Sequence, residues 1–117
     1  MQPLRSVLMA FAERPDVAGA VVVSDDGLVV EASLPAGLDA EELAALTTAA
    51  GRGAGALGSA ARIGELAQAV IECTLGTLVL QRLPSRATLL VLAAPDGDLG
   101  ALLYDLRRHA PALVSLL

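Results

Sequence analysis

Few side chains in this sequence can do chemistry, and their spacing does not bring them together. One histidine, one cysteine, one tyrosine and no lysine occur in 117 residues. Nucleophilic catalysis needs a nucleophile with a base in reach. Cys73 alternates with Ala67, Ala69 and Ile71 along ELAQAVIECT, the spacing of a small buried hydrophobe rather than a reactive thiol. Being alone, it cannot form an intramolecular disulfide. His109 follows Arg107 and Arg108 near a predicted helix C-terminus, where the helix dipole favours cations. One His and one Cys are too few for the usual zinc sites. Asp25-Asp26 and Glu41-Glu42 read as turn and helix-start residues. Tyr104 reads as a ring that packs while its hydroxyl stays at the rim. The sequence therefore predicts no catalytic residue, no metal site and no cofactor, and an enzyme is the last of the functions it supports.

Arg52 stands apart, because it is a lone charge in a long stretch of small residues. An arginine supplied in trans can stabilise the charge of a transferring phosphate. A salt bridge to a protein partner is the simpler role and the one preferred.

The stretch that carries Arg52, Leu38 to Arg62 (LDAEELAALTTAAGRGAGALGSAAR), predicts one long helix. Asp39 is a good N-cap, Glu42 completes a capping box, and Leu38 and Leu43 stand at the staple positions. At about 100° per residue, Leu43, Leu46, Ala50, Ala54, Leu57 and Ala61 fall on one stripe, expected to face the core. A second stripe holds Ala44, Thr47, Gly51, Gly55 and Gly58. Each helical glycine costs about 1 kcal/mol relative to alanine. Close approach of another backbone would account for several of them, so this stripe is the expected contact with a second copy. The third face, with Ala45, Thr48, Ala49, Arg52, Ala56 and Ser59, is poorer in charge than a solvated face. A break of the helix near Gly51–Gly55 is the competing possibility, and compositional bias is a bland source for the glycines.

Two motif readings fail on context. Gly53-Ala54-Gly55-Ala56-Leu57-Gly58 matches G-x-G-x-x-G, but a capped helix precedes it, a strand pattern follows, and Leu78 stands where the ribose-binding acid belongs. A Walker loop needs a lysine. A membrane span over Leu43 to Ala61 is rejected too, because a central arginine costs about 2.5–3.5 kcal/mol even on lenient scales.

Hydrophobic residues make up 55% of the chain but aromatics only 2%, so the core must be built from Leu, Val and Ala. Such a core gains by oligomerising. A net charge of −5 argues against nucleic acid as a partner. The Ala, Gly, Arg and Leu bias suggests a GC-rich bacterial gene. The N-terminus, MQPLRSVLMAFAERPDV, lacks a basic start followed by an apolar run, so no secretory signal is expected and the location is cytoplasmic by default.

One domain over 1–117 is expected. Pro3 to Glu13 predicts a helix with Leu4, Val7, Leu8 and Phe11 on one face, Pro3 in its first turn and Pro15 as its stop. Val17–Ser24 and Ala87–Ala94 are apolar on both faces, as central strands are. Leu28–Ser33, Glu65–Thr74 and Thr77–Leu83 complete five strands, with Leu28–Ser33 and Glu65–Thr74 as edges. Asp98 caps a last helix with Leu99, Leu102, Leu103, Leu106 and Ala110 on one face. Pro111 is expected to end or kink it near Ala110, and Ala112 to Leu117 to add a turn or fray. The fold class is α+β, a mostly antiparallel five-stranded sheet in the order α-β-β-α-β-β-β-α. The edge Glu65–Thr74 follows the glycine-striped helix, so a two-fold homodimer would pair both elements at once.

The order and spacing of short segments resemble the roadblock/LC7 domain family over nearly the whole chain. These are Val17-Ala18-Gly19-Ala20-Val21-Val22-Val23 leading to Asp26-Gly27-Leu28-Val29-Val30, the helix from Asp39, Ile71-Glu72 before Gly76-Thr77-Leu78, and Leu89-Leu90-Val91-Leu92 before Leu99-Gly100. The resemblance implies a sheet sandwiched between the long middle helix on one face and the N- and C-terminal helices on the other. It also implies dimerisation through the middle helix and the strand after it, placing Thr47, Gly51, Gly55, Gly58, Ala67, Ala69 and Ile71 in the dimer interface. Members are non-enzymatic scaffolds, and bacterial ones often act on a small Ras-like GTPase through a platform made by the paired middle helices. Here that platform is Thr48, Arg52, Ala56 and Ser59. The sequence ends without the C-terminal extension of longer members, so a role carried by such a tail is not expected. The expected function is a homodimeric regulator of a small GTPase. The alternatives are a structural adaptor with no nucleotide-linked partner and a small-molecule sensor.

Overall fold

The computed structural model describes residues 4–84 and 86–114. Helix α1 spans Leu4–Ala12, strands β1 and β2 span Val17–Ser24 and Val29–Ser33, and the long helix α2 spans Ala40–Ala60. Strands β3, β4 and β5 follow at Gln68–Cys73, Gly76–Leu83 and Ala87–Ala93, and helix α3 at Leu99–Val114. The five strands form one sheet in the order β2-β1-β5-β4-β3, every neighbouring pair antiparallel. The two doubly apolar strands are interior and the two predicted edge strands are edges.

Both faces of the sheet are covered because both are apolar. On one face Leu8 of α1 and Leu102 and Leu106 of α3 pack with Val22, Val79, Leu89 and Val91, all essentially buried. Burying one such side chain contributes about 1.5–3 kcal/mol. On the other face Ala44 of α2 packs with Val21, Val23, Leu80 and Leu90. Asp39 caps α2 by accepting hydrogen bonds from the backbone N–H groups of Glu41 and Glu42 at 3.0 and 3.4 Å. Asp98 accepts from the Ala101 N–H at 3.1 Å at the start of α3.

Several boundaries differ from expectation. The strand expected over Glu65–Thr74 is confined to Gln68–Cys73. Gly64, at φ 102°, and Arg62, at φ 58°, turn the chain after α2, and the residues up to Ala67 are used in that reversal. Helix α3 does not end at Ala110 but continues through Pro111 to Val114. A proline crowds the turn before it and removes one hydrogen bond, so it kinks a helix as readily as it stops one. α2 is unbroken across Gly51–Gly55. Pro3, the side chains of Leu4, Val7 and Ala110, and the segment beyond Val114 lie outside the description.

Candidate functional site

Helix α2 is the element with most surface left over, and its two apolar stripes lie the opposite way round from expectation. The stripe of small residues faces this chain's own sheet: Ala44 and Thr47 are buried, and Gly51, Gly55 and Gly58 are half-buried. Of the stripe with the leucines, Leu43 packs on the core and Ala54 is half-buried, but Leu46 is 58% and Leu57 66% exposed, and Ala50 and Ala61 are exposed as well. The cause lies in the sheet. Its α2 face already carries Leu78, Leu80, Leu90 and Leu92, so the helix packs on it closely through Ala44, while Gly51 and Gly55 stand over open space.

The position of α2 leaves part of that face open. Its main contacts are with β1, β2 and β5. On the β4 and β3 side Leu78, Ala69 and Ile71 are only half-buried, and among the described residues β3 has no strand along its outer edge. The exposed Leu57, with the 82% exposed Ile63 just beyond the helix, borders a groove that runs to Ala67 and Gln68. An apolar helix stripe, an apolar strand face and an unpaired strand edge thus adjoin one another.

The residues expected at a dimer contact divide accordingly. Ala69 and Ile71 lie on the open strand face, Ala67 is exposed just before it, and Gly51, Gly55 and Gly58 sit beneath the helix. Thr47 keeps only 5% of its surface, turned toward its own sheet, which removes its side chain from any contact made by the outside of the helix. Gly58 is needed for packing within the chain, since a Cβ there would come within 2.6 Å of the Gly64 carbonyl oxygen. Of the residues expected to meet a partner, Arg52, Ala56 and Ser59 are exposed. Thr48 is half-buried and donates its hydroxyl to the Ala44 carbonyl at 3.1 Å. Leu46, Leu57 and Ile63 are the surface residues that sequence reasoning assigned elsewhere or passed over. The leucine-rich alternation of β4 and β5 was the signal that could have found them.

Cys73 is exposed rather than buried, because it ends an edge strand that has no outer neighbour among the described residues. Tyr104 is 64% exposed, so its ring is not packed away. Among the described residues no group of His, Cys, Asp and Glu is placed to hold a metal ion, and no helix is long and apolar enough to cross a membrane.

The model of the Roadblock/LC7 domain matches residues 5–93, which take in α1 and all five strands. The chain belongs to the Roadblock/LC7 family. A protein of Methanocaldococcus jannaschii, MJ0310, is 30% identical over 111 residues, covering 94% of this chain and 96% of its own. Myxococcus xanthus MglB superposes with a TM-score of 0.89 at 18% identity, over 97% of this chain and 93% of MglB. A Roadblock/LC7 domain from Streptomyces avermitilis superposes with a TM-score of 0.78 at 28% identity, over 94% and 91% of the two chains. The exposed α2 stripe and open β3 edge therefore lie on a Roadblock/LC7 scaffold.

Proposed function

We propose that this Roadblock/LC7 chain is a non-enzymatic homodimeric scaffold that binds a small Ras-like GTPase and modulates its nucleotide cycle. The observation that carries the dimer is the adjacency of the exposed leucine stripe of α2 and the unpaired β3 edge. The stripe is nearly self-complementary. Running antiparallel about a two-fold axis near Arg52, Leu46 and Ala50 meet Leu57 and Ala54 of the partner subunit, and the small residues at the crossing allow close approach. Ala69 and Ile71 of β3 close the same interface, and pairing of the two β3 edges removes both of them from solvent.

The GTPase assignment is supported by the family resemblance and by the fold shared with MglB. In such a dimer two copies of Arg52, Ala56 and Ser59 line one surface, and Arg52 forms a salt bridge to the partner. The test is a pull-down of a Ras-like GTPase from the same genome, loaded with GDP or a GTP analogue. Nucleotide-dependent capture that weakens in Arg52→Ala, with the dimer intact, is the expected result. Equal capture in both nucleotide states would favour a structural adaptor, and no capture would refute the GTPase assignment.

A further inference from the structure

The underside of α2 borders an open cleft. A cleft of about 440 Å³ separates the helix from the ends of β1, β4 and β5, within the size range of ligand pockets. Gly51 and Gly55 form its roof, and a Cβ added to either would meet no heavy atom within 4 Å. Alanine would fit at both positions and is the better helix former. These glycines gain no packing within the chain, and their effect is to hold the cleft open.

The lining is polar and short of partners. Thr47 is 5% exposed, and its hydroxyl makes no hydrogen bond among the described residues. No buried polar side-chain atom among them is sealed away without a partner, so this hydroxyl keeps some contact with solvent. On the floor, Arg82 donates from Nη1 to Asp25 at 2.7 Å and to Thr88 at 2.8 Å, and from Nη2 to Asp25 at 3.4 Å. Its Nε–H and a second Nη2–H remain unspent. Arg52 lines the same cleft and forms no ion pair among the described residues. Asp25 is held below the usual carboxylate range by its hydrogen bond from Arg82 first, with the charges of Arg86 and Arg52 adding to it. Asp25, already paired with Arg82, and Glu65 are the two opposing charges at the cleft, which leaves Arg52 as its unpaired cation among the described residues.

We propose that this cleft binds a small oxyanion, a phosphate or carboxylate group held by Arg52 and Arg82 with the Thr47 hydroxyl behind it. Paired donors of this kind suit oxyanions. The site lies beneath α2, away from the leucine stripe, and shares Arg52 with the proposed GTPase-binding surface, so anion binding is measured on the chain without a GTPase present. The test follows the backbone amides of Gly51 and Gly55 by NMR while the full chain is titrated with inorganic phosphate, and separately with succinate. A saturable shift with phosphate alone assigns a phosphate ligand, and with succinate alone a carboxylate. Either should weaken at least tenfold in Arg52→Gln and tighten in Glu65→Gln, which removes one of the two opposing charges. Gly55→Leu should fill the cleft and abolish the response while the rest of the spectrum stays folded. Failure of both anions to give a saturable shift, or unchanged titration of Arg52→Gln and Gly55→Leu, would overturn the proposal.

Discussion

Single residues fasten the elements of this small fold together. Arg14, in the turn between α1 and β1, donates to Asp16 at 2.8 and 2.9 Å and to Asp105 of α3 at 2.9 Å. Its guanidinium also lies 5.6 Å from the Phe11 ring centroid. One side chain thus links α1, the entry to β1 and α3. Hydrogen bonding from Arg14 holds Asp16 below its usual 3.8, and Arg82 does the same for Asp25. A carboxylate whose pKa falls on folding stabilises the fold above its unfolded pKa and loses that contribution as pH drops through the folded value. The urea midpoint should therefore decline as pH falls below about 3.8. Asp16→Asn should cost about 1 kcal/mol at neutral pH and flatten that decline, because the network is only partly buried. An unchanged midpoint for Asp16→Asn would show that the pairs contribute nothing.

At the scale of elements, much was legible and one helix was not. Doubly apolar runs marked β1 and β5 as interior, and Asp39 marked the start of α2. The face of α2 was misread because leucine is more hydrophobic than glycine, and periodicity does not say which of two apolar stripes meets the core. That choice depends on how much room the sheet leaves, which emerges only when Leu78, Leu80, Leu90 and Leu92 are brought together. The cleft beneath Gly51 and Gly55 was illegible for the same reason, since it is made by three strands and a helix distant in sequence. Two substitutions separate the kinds of leucine. Leu89 is fully buried under α1 and α3, so Leu89→Ala should cost about 2–5 kcal/mol, read as a lower urea midpoint. Leu46→Glu combined with Leu57→Glu changes exposed positions and should leave the circular dichroism of the chain intact. The pair should abolish self-association, since two charges per copy would then face an apolar counterpart. Association persisting in that variant would place the interface elsewhere.

For the whole molecule, the asymmetry between the two faces of the sheet is decisive. α1 and α3 cover most of one face, with Val70 of β3 left 45% exposed on it, whereas α2 covers the β1, β2 and β5 side of the other and leaves Leu78 of β4, the face of β3 and an edge unpaired among the described residues beside its leucines. A net charge of −5 on 117 residues keeps copies apart at long range, so contact between them has to come from that apolar patch. The scaffold reading, the shared surface around Arg52 and the pairing of β3 edges all require two copies. Sedimentation equilibrium of the wild-type chain at micromolar concentration measures this directly. The account predicts a mass twice the 11.8 kDa of one chain, and a species of 11.8 kDa would contradict it.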